Sequence, residues 1–442
     1  MAVSDLGALV RIPSVSWEGF DPDNVDRSAS AVRDLFDGIG IFESVRVARS
    51  ISGAGLPGQP AVLATRGARN GAPTVLLYAH HDVQPPGNYS EWQSPPYEPT
   101  VRGDRLYGRG AADDKAGVVS HLAALRAFTQ VVGTGFDLGL VAFIEGEEEF
   151  GSPSFAGFLA EHREALAADV IIVADSDNWS TSVPSLTVSL RGNITFRLTV
   201  KTLLHASHSG MFGGAVPDAM LVMARLISSL YADDGSVAIE RLTAREAPVP
   251  DLPLDRLRED TGLLPGVAAI GRGPLLSRMW NQPAITVTGI DAPTVQNASN
   301  ALIPEVSVRI SVRVAPGQHT DEAWSAIEAH LRSRVSFGAH VEISDLNKGE
   351  PFLVDAAGWA VTAVKDAMSE AWGTGALETG IGGTIPFLSH LAADFPDAQI
   401  LITGVEDPDT RAHSPNESLH LGVFHRAILT EAILLANLNS RA

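Results

Sequence analysis

The sequence predicts an α/β protein: a mostly parallel sheet covered by helices, with a separate α+β domain inserted into it. Four short runs are apolar without alternation, which predicts strands buried on both faces; they are 74–79, 138–144, 170–174 and 399–403. Helical patterns accompany these runs, at 115–128, 153–166, 358–372 and 419–435. Strands that alternate with helices in this way are typical of a parallel sheet with helices on its faces.

The middle of the chain has a different pattern. Segments 193–201 and 306–314 alternate apolar and polar residues, as expected of strands with one face in water. Further elements are predicted as helices at 217–230 and 321–332 and strands at 284–290 and 340–343. The resulting order, βαββαβ, predicts a ferredoxin-like unit. We therefore place an inserted domain at 189–345, within a domain made of residues 1–188 and 346–442.

The chain is acidic and contains no cysteine. Its 442 residues carry a formal net charge of −20, which disfavours binding to nucleic acid or to anionic membranes. Without cysteine, histidine and carboxylates are the strong metal ligands that remain. The first residues lack a basic start followed by a long apolar stretch, so we expect neither secretion nor membrane anchoring, and a cytoplasmic location.

Side chains of the kind that bind metals follow each of the four predicted buried strands. They are His80 and Asp82, the acidic run 145–149, Asp175 with Asp177, and His413. Because the carboxyl ends of parallel strands share one edge of a sheet, these side chains should converge there. Singly, each has an ordinary explanation: a turn, a solvated acidic face or, for Asp113 and Asp114 before the helix at 115–128, a helix cap. Together, two imidazoles and several carboxylates match what a pair of divalent ions requires.

Six motifs, in order along nearly the whole chain, resemble those of M20 metallopeptidases. They are YAHHDVQPP, LYGRGAADDKAG, IEGEEEFGSPS, ADSDNW, HASHSGMFGG and RAHSPNES. The first is similar to the dipeptidase branch, which includes carnosine-type and cytosolic nonspecific dipeptidases. The resemblance implies a catalytic domain in two parts, 1–188 and 346–442, with 189–345 as a lid and dimerisation domain, and hence a homodimer.

The resemblance also implies a dinuclear metal site and a role for each of its residues. The metal ligands would be His80, Asp113, Glu149, Asp177 and His413. Asp113 would bridge both ions and be joined to Asp114 by a cis peptide. Asp82 would orient His80 as a supporting residue of the catalytic machinery. Asp175 lies two residues before Asp177 and remains the alternative ligand.

Amide hydrolysis requires a nucleophile at neutral pH and stabilisation of the developing oxyanion. A water shared by two ions has its pKa lowered from about 15.7 toward ~7, and the ion facing the carbonyl polarises it. Glu148 would act as the general base that takes the water proton and returns it to the leaving amine. Zinc is the expected metal, and the same ligands would tolerate manganese or cobalt.

Substrate contacts are implied by the resemblance for His208, Arg313, Gly382 and Thr384. Arg313 would pair with the substrate carboxylate, and His208 would contact the oxyanion in the active site of the other subunit. Gly380 and Ile381 stand where dipeptidases commonly carry Arg-Glu, a departure that leaves the substrate open. His81 and His205 receive no role as ligands.

The sequence therefore predicts a two-metal hydrolase that cleaves the amide bond of dipeptides or small peptides next to a free carboxylate. One alternative is an N-acyl amino acid amidohydrolase, of the deacetylase or desuccinylase type, that uses the same metals. Another is a binding or scaffold protein that has kept the fold and lost catalysis. A serine hydrolase is disfavoured because no G-x-S-x-G motif occurs.

Overall fold

The structure, a computed structural model, describes residues 1–354, 357–383 and 386–440. The chain forms two compact units. Unit 1 comprises Met1–Val188, Val354–Thr379 and Pro386–Ala442, and unit 2 comprises Ser189–Leu353 and Gly380–Ile385.

The described residues form eighteen strands. In chain order they are β1 Ser44–Ala48, β2 Ala61–Arg66, β3 Thr74–His80, β4 Thr100–Arg102, β5 Arg105–Tyr107, β6 Gly139–Glu145, β7 Val170–Ala174, β8 Ser185–Leu190, β9 Gly192–Lys201, β10 Ser207–His208, β11 Ala284–Asp291, β12 Ala301–Leu302, β13 Glu305–Val314, β14 His340–Gly349, β15 Phe352–Leu353, β16 Leu377–Ile381, β17 Gln399–Thr403 and β18 Ser418–His420.

The described residues also form twelve α-helices and three short 3-10 turns. The helices are α1 Ala2–Val10, α2 Asp23–Asp37, α3 Lys115–Val132, α4 Phe155–Leu166, α5 Ser209–Phe212, α6 Ala219–Ser228, α7 Leu254–Thr261, α8 Leu275–Trp280, α9 Thr320–Ser333, α10 Trp359–Trp372, α11 Pro386–Asp394 and α12 Leu421–Asn439. The 3-10 turns are Tyr89–Glu91, Glu148–Phe150 and Val295–Asn297.

Unit 1 is built on a mixed sheet whose centre is parallel. β3 pairs in parallel with β6 and with β7, and β7 pairs in parallel with β17. β1 and β2 on one side and β8 on the other extend the sheet with antiparallel pairings. Every residue of β6 and β7 is buried, which is why these strands are apolar without alternation. The predicted α/β class is confirmed.

The C-terminal helix α12 is long and apolar enough, by length and composition alone, to cross a membrane. It packs against α3 and α10. Its residues Phe424, Leu434 and Leu435 belong to the hydrophobic core of unit 1. Its Glu431 is buried and accepts a 2.9 Å hydrogen bond from Nδ1 of His121 on α3. These contacts are those of a core helix.

Unit 2 contains a four-stranded antiparallel sheet in the order β11-β13-β9-β14, against which α6 and α9 pack. The apolar positions of β9 are fully buried in this core, as its alternation predicts. The predicted βαββαβ order is present, with α7 and α8 as additions between α6 and β11.

The limits of unit 2 differ from the predicted insertion at 189–345. β14 continues to Gly349, which pairs with Asn193, and Phe352 of β15 pairs with Leu190, so the unit extends to Leu353. Residues 380–383 also belong to unit 2, where the N–H of Arg191 donates to the carbonyl of Ile381. Pairing between distant strands sets these limits, and the sequence carries no local signal for it.

Candidate metal centre

The polar residues predicted to converge in unit 1 follow its four parallel strands. His80 is the last residue of β3, and the turn Glu148–Phe150 comes three residues after β6. Asp175 directly follows β7, and the chain after β17 leads through a loop to His413. The pairing of β3 with β6 and β7, and of β7 with β17, brings these carboxyl ends to one edge of the sheet.

His80 is fully buried and held at both ring nitrogens. Its Nδ1 lies 3.1 Å from the backbone oxygen of Asp82 and 3.3 Å from Oδ1 of the same residue. Its Nε2 lies 3.2 Å from Oδ1 of Asp113. A carboxylate that accepts from Nδ1–H fixes the tautomer in which Nε2 carries the lone pair needed to bind a metal ion.

Asp82 does more than orient His80. Its Oδ2 accepts hydrogen bonds from Ser16 Oγ at 2.7 Å and from the N–H of Glu149 at 3.1 Å, and its Oδ1 accepts from the N–H of Glu148 at 3.2 Å. One buried carboxylate therefore fixes the imidazole and the backbone of both glutamates.

Asp113 and Asp114 have separate tasks although they are adjacent. Asp114 caps helix α3 by accepting from the N–H of Gly117 at 3.2 Å, and it also accepts from the N–H of His80 at 3.1 Å. A Cβ at Gly117 would lie 2.2 Å from Oδ1 of Asp114, so the cap requires glycine there. The carboxylate of Asp113 instead faces the two histidines, at 3.2 Å from Nε2 of His80 and 2.9 Å from Nε2 of His413. The peptide bond between the two aspartates is cis, as the resemblance implied.

The three consecutive glutamates also differ from one another. Glu147 accepts from the N–H of Ser154 at 2.6 Å and from the N–H of Gln59 at 2.8 Å, so it stabilises loops. Glu149 is buried, and its Oε2 lies 3.2 Å from Nε2 of His413. Glu148 is half-buried, with Oε2 at 4.0 Å from Nε2 of His80. The acidic run is thus not a solvated surface face.

Among the residues that the structure describes, two groups of three potential metal ligands share Asp113. His80, Asp113 and Asp175 form one group, and Asp113, Glu149 and His413 form the other; in each, the ligand atoms lie within 4.8 Å of one another. A pair of divalent ions fits this arrangement, because each ion would receive one imidazole and two carboxylates and Asp113 has one oxygen for each. Glu148 belongs to neither group.

The carboxylate that the geometry favours beside His80 is Asp175, in place of the Asp177 that the sequence favoured. Asp177 is exposed, its carboxyl hydrogen-bonds the side chain of Glu406, and the two residues form a β-bridge. Asp175, at the end of β7, faces Asp113 instead. We therefore propose Asp175 as the ligand.

Replacing Asp175 with asparagine should weaken the binding of one ion by at least ~10-fold and leave the other ion bound. Replacing Asp177 with asparagine, which can still hydrogen-bond Glu406, should leave both ions bound. Metal content after dialysis against buffered zinc distinguishes the two variants. The reverse pattern would restore Asp177 as the ligand.

Acidic groups are concentrated in this centre. Burial, with the nearby charge of Asp113, raises the pKa of Glu149 to about 7 and that of Asp175 to about 6. Hydrogen bonds to Asp113 and Glu149 raise the pKa of His413 to about 10. Carboxylates packed this closely and away from water are costly unless cations compensate them, and divalent ions would do so.

Sequence reasoning missed two supports of this centre. Gln84 holds the carboxylate of Glu149 through its backbone N–H, at 3.1 Å from Oε1, and through its side-chain amide, at 2.7 Å from Oε2. Glu417 contacts the backbone of Asp113. Only their places in the YAHHDVQPP and RAHSPNES motifs could have suggested them. His81, in contrast, is buried with Nε2 at 2.8 Å from the carbonyl of Pro60, consistent with a packing role.

Three of the four predicted substrate residues are described, and these three belong to unit 2. His208 is exposed, and its Nδ1 accepts from the N–H of Gly210 at 3.1 Å, the contact of a turn residue. Arg313 is half-buried on β13, and burial lowers its pKa. The carbonyl of Gly382 accepts from Arg191 at 3.2 Å. Thr384 lies outside the described residues. The substrate roles of all four residues remain predictions.

The family is identified by comparison with known proteins. The model of Peptidase family M20/M25/M40 matches residues 76–437, and the chain belongs to this family. It is a metallopeptidase of the hydrolase class, as the fold and the site indicate.

The individual proteins that the chain resembles include dipeptidases and a carboxypeptidase. The cysteinylglycine-S-conjugate dipeptidase of Corynebacterium striatum is 37% identical over 370 residues, which cover 82% of this chain and 81% of that protein. The solved structure of the di-peptidase Dug1p from Saccharomyces cerevisiae has a TM-score of 0.74 at 23% identity, covering 99% of this chain and 96% of that one. That of an M20 family metallo-carboxypeptidase from Sulfolobus solfataricus has a TM-score of 0.79 at 20% identity, covering 99% of both chains. The predicted family and its dipeptidase branch are confirmed.

Proposed function

We propose that the chain is a two-metal dipeptidase that cleaves the amide bond next to a free carboxylate in dipeptides or small peptides. The observation that carries this proposal is the position of Asp113, which is shared by two three-ligand groups while Glu148 stands outside both. Each ion would be held by one histidine and two carboxylates: His80, Asp113 and Asp175 for one, and Asp113, Glu149 and His413 for the other.

The bound ions supply Lewis acidity, which activates water and polarises the scissile carbonyl. The chain's own residues do the rest. Glu148, beside His80 and unused as a ligand, takes a proton from the attacking water and passes it to the leaving nitrogen. Asp82 holds the backbone of Glu148 in place. Gln84 donates a hydrogen bond to each carboxylate oxygen of Glu149 and so fixes its orientation. Glu149 therefore acts as a metal ligand and leaves the role of general base to Glu148.

Recognition of a substrate carboxylate is supported by two arginines of unit 2. Arg191 is half-buried and donates to the backbone carbonyls of Gly382, Arg278 and Gln282. Burial, and then the charge of Arg313, lowers the pKa of Arg191 to about 10, so the two guanidinium groups are near one another. Neighbouring cations favour an anion, and Arg313 on its half-buried strand would bind the carboxylate as a bidentate partner.

The remaining features of the proposal are the metal, the location, the oligomeric state and the substrate class. Zinc is the proposed metal because histidine and carboxylate ligands suit it, with manganese or cobalt as substitutes. The proposed protein is a cytoplasmic homodimer that associates through unit 2. In this dimer, His208 of one subunit would contact the oxyanion in the active site of the other subunit. The relative from Corynebacterium striatum is a cysteinylglycine-S-conjugate dipeptidase, which favours dipeptides as substrates of this chain.

Removing the metals with a chelator should abolish hydrolysis, and restoring about two equivalents of zinc, manganese or cobalt should recover it. The reconstituted protein is then assayed on dipeptides, on the same dipeptides with a C-terminal amide, and on acetyl, succinyl and carbamoyl amino acids. Free dipeptides should be hydrolysed at least ~10-fold faster than their amides, because the amides lose a charge-assisted hydrogen bond.

Two results would contradict this proposal. Turnover of an acylated amino acid with no turnover of dipeptides would assign the protein to the amidohydrolases. Activity that survives complete removal of metal would exclude the two-metal centre itself.

A further inference from the structure

A fully buried carboxylate, Glu417, lies four residues after His413 and contacts the loop that carries Asp113. Its Oε1 accepts from the N–H of Ala112 at 3.0 Å and of Asp113 at 3.2 Å. Its Oε2 accepts from the N–H of Gly110 at 3.1 Å and from Nη1 of Arg109 at 2.6 Å. Four donors therefore surround one carboxylate that has no exposed surface.

The counter-ion Arg109 is also buried and contacts both sides of the centre. Its Nη2 lies 3.4 Å from the carbonyl of Ser414, the neighbour of His413, and 3.4 Å from the carbonyl of Pro85, the neighbour of Gln84. A buried ion pair contributes little net stability, because the desolvation of two charges offsets their attraction. Stability alone therefore does not explain why this buried ion pair is present. The backbone geometry that the pair fixes explains it better.

That geometry joins two ligand segments that are distant in sequence. Glu417 ends the loop containing His413, and its hydrogen bond to the N–H of Asp113 spans 304 positions of the chain. His413 has a φ of +59° and Asn416 a φ of +65°, so this loop holds a backbone conformation that non-glycine residues seldom adopt. Asn416 fixes the loop on its other side, since its Oδ1 accepts from the N–H of Gln93 and its Nδ2 donates to the carbonyl of Glu91, each at 2.8 Å.

We propose that Glu417, with Arg109 as its counter-ion, is a positioning residue of the metal centre that holds Asp113 and His413 in register with each other. The role rests on the proposed two-metal function. Glu417 contacts neither ligand side chain. It acts on the backbone of Asp113 and on the loop of His413, and so on how well both ions are bound.

The chain offers a matched control in Asp407. This carboxylate is also fully buried, pairs with Arg105, and lies in the same loop six residues before His413. It accepts from the N–H of Asp409 at 3.0 Å. Its replacement removes a buried charge of the same kind from the same segment without touching the hydrogen bonds to Asp113.

The test compares Glu417→Gln with Asp407→Asn in the full chain. Zinc and cobalt are titrated into metal-free protein by calorimetry, the absorption spectrum of the cobalt form is recorded, and the melting temperature of each metal-free variant is measured. Glu417→Gln should weaken at least one ion by roughly 10–100-fold and alter the cobalt spectrum, as expected when an outer partner of a ligand is lost. Asp407→Asn should lower the melting temperature but keep both affinities within about threefold and the spectrum unchanged.

Unchanged affinity and spectrum in folded Glu417→Gln, or an equal loss in Asp407→Asn, would overturn the positioning role. Should Glu417→Gln fail to fold, Arg109→Lys replaces it: this variant keeps a cation opposite Glu417 but loses the planar contacts to Ser414 and Pro85. It should weaken metal binding beyond the control, and equal affinities would count against the proposal.

If the unaltered protein binds two ions but Glu417→Gln behaves like it, the positioning role alone fails. If the unaltered protein binds none, the metal centre fails.

Discussion

Replacing Glu148 with alanine is expected to leave both ions bound and to lower kcat by at least ~10²-fold, the lower range for removal of an acid-base group. Glu148 is the one carboxylate of the pair Glu148 and Glu149 that lies outside both ligand groups among the described residues. Its Oε2 stands 4.0 Å from Nε2 of His80, close to the ions without being needed to hold them. Kinetics at saturating metal, with metal content measured on the same sample, separates chemistry from binding.

The control for this prediction is the preceding residue. Glu147→Gln also removes a charge from the acidic run, but Glu147 accepts from Ser154 and Gln59, away from the ions. The variant should lose about 1–3 kcal/mol of stability, because a buried charged acceptor is removed, and keep a kcat near that of the unaltered protein. If Glu148→Ala kept full turnover, or lost a metal ion in parallel with its activity, Glu148 would be a ligand or a bystander and the base would lie elsewhere.

The parallel centre of unit 1 could be predicted from the sequence because burial on both faces leaves a direct mark. Runs such as 138–144 and 170–174 have no polar alternation, and they became β6 and β7. The edge strand β1 left no such mark, since all five of its residues are exposed or half-buried. The alternation of β9 likewise predicted the antiparallel sheet of unit 2. The extension of that unit beyond residue 345 depends on pairing between distant strands and was not predicted.

The candidate site, like the fold, could be predicted from the sequence only in part. Positions after strand ends indicated where ligand-type residues would converge, and the family resemblance supplied individual roles. The motif match favoured Asp177 as the ligand, whereas we propose Asp175, because Asp177 contacts Glu406, a residue of a distant loop that the sequence could not place beside it. The role of Glu417 was not predicted for a related reason. A glutamate in a polar loop is usually exposed to solvent, and only the tertiary contacts of Glu417 show that its carboxylate is fully buried.

Asp113 should be the residue whose loss has the greatest effect on metal content. Replacing it with alanine removes a ligand from both groups at once, so neither ion should remain after dialysis, and kcat should fall by at least ~10³-fold, the equivalent of losing several kcal/mol or more of Lewis-acid stabilisation. Asp175→Asn, in contrast, affects one group and should leave the second ion in place. Counting ions in the two variants therefore tests whether the ions share a ligand or occupy independent sites.

Asp114 provides the control for this prediction. Its replacement shows whether the loss of metal is specific to the Asp113 carboxylate or follows from any change in this segment. Asp114→Asn changes the residue on the other side of the same cis peptide, where the side chain caps α3 and accepts from the N–H of His80. It should cost about 1 kcal/mol of stability or less, as a conservative cap replacement does, and still bind two ions at saturating zinc. An Asp113→Ala protein that kept one tightly bound ion would show that the centre is two separate sites. Loss of both ions in each variant would mean that the fold of the segment, rather than the carboxylate of Asp113, governs metal binding.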